Sequence, residues 1–201
     1  MFYFIVITLL TLCGPVVADT ILNGDLTQGG IVFGETKPGF EITLDGKPIR
    51  VSSEGYFLLG FSRDAKTDSE LIIHDLEGST KKRNLKIKQR KFKIQQIDGL
   101  PKKFVSPPKR ILSRIREENK KIKKVRLFDR DEVFFRSGFI MPAQGRISGV
   151  YGAQRILNGQ PRQPHFGIDI AAPSGAKVVA PADGIVVLAE ADLYFSGGTV
   201  I

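Results

Sequence analysis

The chain is poor in the side chains that most often carry site chemistry. Among 201 residues cysteine occurs once, as Cys13, and histidine twice, as His74 and His165. A lone cysteine excludes an internal disulfide, so the fold must be held by its core. Acidic residues are also short, with 21 Asp and Glu against 30 Lys and Arg and a formal net charge of +9. No internal repeat occurs, and no low-complexity tract apart from this basic bias.

Charge of either sign is missing from the first eighteen residues, MFYFIVITLLTLCGPVVA, after which Asp19 opens a stretch rich in turns and charges. This is a secretory signal pattern, and Val16 and Ala18 at the small-residue positions predict cleavage before Asp19. The departure is the lack of a Lys or Arg ahead of the apolar run. An uncleaved anchor is the rival reading, since roughly 17 to 25 apolar residues span a bilayer, although Gly14 and Pro15 interrupt this run. Leu12 stands where a lipoprotein signal wants a small residue, which argues against lipidation of Cys13. The mature chain would then have no thiol and would suit an oxidising compartment, so the expected location is the periplasm or cell envelope.

Four segments are predicted: the signal over 1–18, a β-sandwich over 19–100, a basic helical linker over 101–137 and a sheet-forming region over 138–201. In the second, FEITL-DGKP-IRV (40–51) is a hairpin with Asp45-Gly46 at its tip. SSEG (52–55) leads into a strand, and LIIHDLEGST (71–80) turns at Glu77-Gly78. In LKIKQRKFKIQQI (85–97) Leu85 and Ile87 share one parity and Phe92 and Ile94 the other, which predicts a bulge between them.

SPPKRILSRIREENKKIKKVRLF (106–128) reads as one amphipathic helix, with Ser106 as N-cap, Pro107 at the first helical position and Ile111, Ile115 and Ile122 on one face. Residues 81–126 hold 19 Lys or Arg against Asp98, Glu117 and Glu118, a net of +16. A solvated helix face and sheet edge is one reading of this run; attraction to an anionic polymer through a long-range field is the other. Behind an export signal, an anionic cell wall or membrane surface is the expected partner, and nucleic acid is not. Beyond Gly138 the basic runs stop. KVVAPADGIVVLAEA (177–191) predicts two strands around a Pro-Ala-Asp-Gly turn, and GGTVI (197–201) begins another, in an antiparallel sheet.

RQPHFGIDIAAPSG (162–175) carries the candidate chemistry. Imidazole and carboxylate are good zinc ligands when both lie about 2.0 to 2.2 Å from the ion. On a straight strand residues four apart stand roughly 13 Å from one another, so His165 and Asp169 can meet only across a bend, for which Gly167 is suited. Two ligands do not make a catalytic zinc site, which typically takes three, and the other histidine, His74, belongs to the sandwich segment. Tyr151, Arg155 and Asn158, in a Gly-rich stretch ahead of His165, are candidates for hydrogen-bonding a peptide or for packing a loop.

Read together, residues 145–187 resemble the lysostaphin-type zinc endopeptidases. The family's H-x-x-x-D element falls on His165 and Asp169, and its downstream A-x-x-G-x-x-V-x-A-x-x-x-G pattern falls on Ala172, Gly175, Val178, Ala180 and Gly184. The stretch before Gly138 resembles, less specifically, the β-sandwich domain that precedes the peptidase domain in some secreted members. The resemblance implies a mainly β fold, with a small sandwich, one linking helix and a partial antiparallel peptidase sheet. It also implies Zn2+ held by two histidines and an aspartate, and hydrolysis of peptide bonds in peptidoglycan. The family's His-x-His element, which supplies the third ligand and a catalytic histidine, normally follows the G-G-T-V-I strand. No catalytic residue is therefore assigned before Ile201, and the 201-residue chain is expected to be inactive alone. The alternative is a non-catalytic module that binds cell wall or activates a partner hydrolase.

Overall fold

The structure is a computed structural model that describes residues 20–100 and 107–201. The signal segment and the Ser106 cap lie outside the described residues. Among the described residues the fold is mainly β with one α-helix.

Two antiparallel sheets form the first half. One has the order β1-β2-β5, from Ile21–Gly24, Ile31–Glu35 and Tyr56–Gly60; the other has the order β4-β3-β6-β7, from Lys47–Ile49, Glu41–Leu44, Asp68–His74 and Thr80–Lys86. Alternation sends Val32, Phe57 and Leu59 of one sheet and Ile42, Leu71, Ile73 and Leu85 of the other into a single buried cluster, closed by Phe61 and Ile87. Each such side chain contributes about 1.5 to 3 kcal/mol by leaving water. Phe57 packs across its register partner Gly34, where an added Cβ would come within 2.2 Å of the ring. The expected turns are present: Asp45 (φ 52°) and Gly46 (φ 74°) join β3 to β4, and Gly78 (φ 83°) lies between β6 and β7. Two successive positive φ values suit the twist of a tight hairpin.

The predicted bulge in 85–97 is corrected. β7 ends at Lys86, the chain passes a single bridge between Thr27 and Lys88, and β8 (Ile94–Ile97) starts elsewhere. The parity changes because the chain leaves one sheet for another, not because one strand gains a residue. β8 runs parallel to β10 (Gln154–Leu157), which also pairs with the short β11 (Gln160–Pro161). A strand from the segment assigned to the sandwich thus joins the C-terminal half.

The helix is also corrected at its start. A 3-10 turn at Lys109–Ile111 precedes α1 (Leu112–Val125), whose N-cap position is Ile111. Pro108 is extended, with ψ 142°, and the second proline of the pair disfavours helical backbone at Pro107. The apolar face survives: Ile115 is buried and Ile111, Ile122 and Val125 are half-buried. Through polar side chains the helix meets the hairpin of β13 (Ala189–Leu193) and β14 (Gly197–Val200). Arg114 bonds the Asp192 carbonyl at 2.7 Å, Lys121 pairs with Glu190 at 2.9 Å, and the Tyr194 N–H donates to Glu118 at 2.9 Å. That backbone N–H, and then Arg114, hold the Glu118 carboxyl below its ordinary range.

In 177–191 only Ala189 onward forms strand. The Pro-Ala-Asp-Gly turn joins no hairpin, because the backbone there bonds other segments: Val179 N–H to Pro142 O, Ile140 N–H to Pro181 O and Val187 N–H to Ile201 O. Val178, Ile185 and Val186 stay exposed. The C-terminal half is accordingly split into small sheets, β12 (Asp169–Ala171) with β9 (Arg146–Gly149), β8-β10-β11, and β13-β14, rather than one antiparallel sheet.

Candidate functional site

β9 and β12 run antiparallel with Gly149 opposite Asp169, and the register shifts between Asp169 and Ile170. Ahead of Asp169 the chain bends at Gly167. The backbone of His165 is pinned to the turn after β9: its N–H donates to Ala153 O at 2.8 Å, and its carbonyl accepts from Gly152 N–H at 2.7 Å. Held this way, His165 Nε2 stands 3.2 Å from Asp169 Oδ1. The bend thus brings together the two groups singled out by spacing.

Gly167 does not owe its role to left-handed backbone, since its φ is not positive. An added Cβ there would meet His165 Nε2 only at 3.7 Å. The demanding position is Gly149, where a Cβ would lie 2.1 Å from Asp169 Oδ2 and 2.8 Å from its Cγ. Asp169 lays its carboxylate over the bare glycine of the facing strand, which aims Oδ1 at His165. The signal available in the sequence was a glycine inside a strand-like stretch, a mark of close approach.

The two side chains are of the types that could hold a divalent metal. His165 Nδ1 lies 3.3 Å from Val150 O, and a carbonyl can only accept, so that bond places the hydrogen on Nδ1. Nε2 then faces the Asp169 carboxylate, and the two are donors that could share a cation. Carbonyl support behind a histidine is the usual arrangement at metal centres. Tetrahedral ligands at about 2.0 to 2.2 Å stand roughly 3.3 to 3.5 Å apart, close to the 3.2 Å observed. Side-chain exposures of 34% and 64% leave both tips reachable. Among the described residues no group of three His, Cys, Asp or Glu converges.

His165 and Asp169 open onto a cleft of about 960 Å³. The β8-β10 ladder also lines it, with Lys93, Gln95 and Arg155 among the lining residues. Of the three predicted peptide contacts, Arg155 lines this cleft. Tyr151 stacks edge-on with Phe92 at 6.4 Å and contacts Phe166 at 6.1 Å. Its ring fills the space over Gly29, where a Cβ would come within 2.5 Å. Asn158 (φ 49°) forms the β10-β11 turn, and its amide bonds the Leu100 N–H at 2.9 Å and carbonyl at 2.7 Å. His74 ends β6 between Glu41 and Thr80, within the sandwich. Lys93 and Gln95 leave no local trace in the sequence, because a parallel pairing across more than fifty residues brings them to the cleft. The sandwich also braces the site: Arg63 Nε donates to Gly152 O at 2.8 Å, with its guanidinium 5.0 Å from the Phe92 centroid.

No protein-family model matches this chain, and no curated protein matches it.

Proposed function

We propose that the chain is part of an exported zinc endopeptidase that cuts peptides of peptidoglycan. The observation that carries this reading is the 3.2 Å approach of His165 Nε2 to Asp169 Oδ1 at the edge of an open cleft. The resemblance of residues 145–187 to lysostaphin-type enzymes supports it.

Zinc bound there would supply Lewis acidity toward a peptide carbonyl and toward water near neutral pH. His165 gives a neutral nitrogen whose tautomer is set by Val150 O, and Asp169 gives the negative charge. Gly149 keeps the carboxylate in place. Neither side chain acts as acid or base in this scheme. A third donor, which the resemblance places after the Gly-Gly-Thr-Val-Ile strand, would complete the set. The β8-β10 face holds the peptide against the ligand pair, and the basic run over 81–126 keeps the protein on anionic wall or membrane surface.

The test is digestion of purified sacculi by the natural full-length gene product. Release of cleaved wall peptides, abolished by Asp169→Ala and by chelation, is the expected result. Undiminished release after both would refute the reading. Sacculus binding without cleavage would instead establish a non-catalytic wall-binding module.

A further inference from the structure

The cleft beside His165 and Asp169 is electrostatically one-sided. Three of its lining side chains, Lys93, Arg155 and Arg162, are cationic, and among the described residues Asp169 is its one acidic side chain. Two of the cations share a face for a topological reason. Gln95 of β8 and Arg155 of β10 are register partners in a parallel ladder, and Lys93, two residues before Gln95, has the same parity. Neither Lys93 nor Arg155 has a carboxylate partner among the described residues, whereas Arg50, Arg114, Lys121 and Arg136 are all paired.

We propose that this cleft selects peptides carrying a free carboxylate, which Arg155 and Lys93 hold while the adjoining backbone faces His165 and Asp169. The inference rests on the peptidase reading and narrows its substrate class to acidic peptides. A guanidinium can take a carboxylate through two parallel N–H bonds, and an ammonium beside it adds charge without fixing orientation. Gln95 between them supplies an amide for the peptide backbone. A neutral peptide would leave both cations without a counter-charge.

Fluorescence anisotropy on the 201-residue protein tests this with two labelled, C-terminally amidated peptides, Ala-Glu-Lys-Ala and Ala-Gln-Lys-Ala, which differ by one charge. The acidic peptide should bind about two- to fivefold more tightly, the range for a solvent-exposed ion pair. Arg155→Glu should erase the difference. Arg116→Glu, the same charge change on the exposed face of α1, should preserve it. Equal affinities, no detectable binding of either peptide, or an equal loss in Arg116→Glu would overturn the proposal, the last by showing that net charge and not the cleft is responsible. Zinc titration of the same proteins separates this failure from failure of the metal reading. Zinc bound by Arg155→Glu but not by His165→Ala sustains the ligand pair whatever the peptides do, and no zinc binding by the natural full-length gene product, which carries the third donor, defeats it.

Discussion

Gly149→Ala is the smallest change that should separate the site from the fold. The new Cβ would sit 2.1 Å from Asp169 Oδ2, 2.8 Å from Cγ and 3.2 Å from Cβ. Ordinary contact lies near 3.5 Å, so the carboxylate must retreat by roughly 1 Å or more, beyond the ~0.5 Å tolerance of a working constellation. Gly149 has no positive φ, so alanine strains no backbone. The side chain of Asp169 is 64% exposed and can swing into solvent, which keeps the stability cost below the ~1 to 3 kcal/mol of overpacking a closed core. Thermal unfolding should therefore shift little, while zinc affinity in competition with a chromophoric chelator should fall about 10- to 100-fold, as for loss of ligand support elsewhere. Gly167→Ala is the control, because its nearest contact would be 3.7 Å, and it should bind zinc as the unaltered protein does. Wild-type zinc affinity in Gly149→Ala, or equal losses in both variants, would refute the reasoning.

Other perturbations address other parts of the account. Phe57→Ala should destabilise the sandwich by about 3 to 5 kcal/mol in urea unfolding, since Phe57 is 1% exposed and lies across Gly34; a cost under 1 kcal/mol would contradict the assigned core. The depressed Glu118 carboxyl links helix docking to pH. Its contribution is fully present above the ordinary glutamate value near 4.5 and is lost as pH falls through the lower folded value. The Tyr194 amide resonance should follow that acid transition, and Glu118→Gln should abolish it. Sedimentation with purified sacculi should show binding that salt weakens through screening; salt-insensitive binding would remove the role given to residues 81–126.

What could be read from the sequence was local. Asp45-Gly46 and Glu77-Gly78 mark their turns because positive φ values fall on glycine and asparagine-like residues wherever the rest of the chain goes. The apolar face of α1 follows from spacing, but its start moved because two consecutive prolines keep the chain extended through Pro108. In 85–97 the sequence shows a parity change, which a bulge and a change of sheet produce equally well. Pairing of β8 with β10 decides between them, and it also builds the cleft wall. The segment 177–191 alternates like strand, yet its backbone groups bond Pro142, Ile140 and Ile201. At the site, the bend that joins His165 to Asp169 is legible from Gly167, whereas Gly149 becomes visible only once the facing strand is in register.

The central claim is that His165 binds metal through Nε2 while Nδ1–H is kept by Val150 O. With only two histidines in the chain, nitrogen-15 imidazole spectra recorded through a zinc titration test it directly. The prediction is a large change at His165 Nε2, a retained Nδ1–H and no change at His74, all lost in Asp169→Ala. An unresponsive His165 ring at saturating zinc, or equal responses from both histidines, would contradict it.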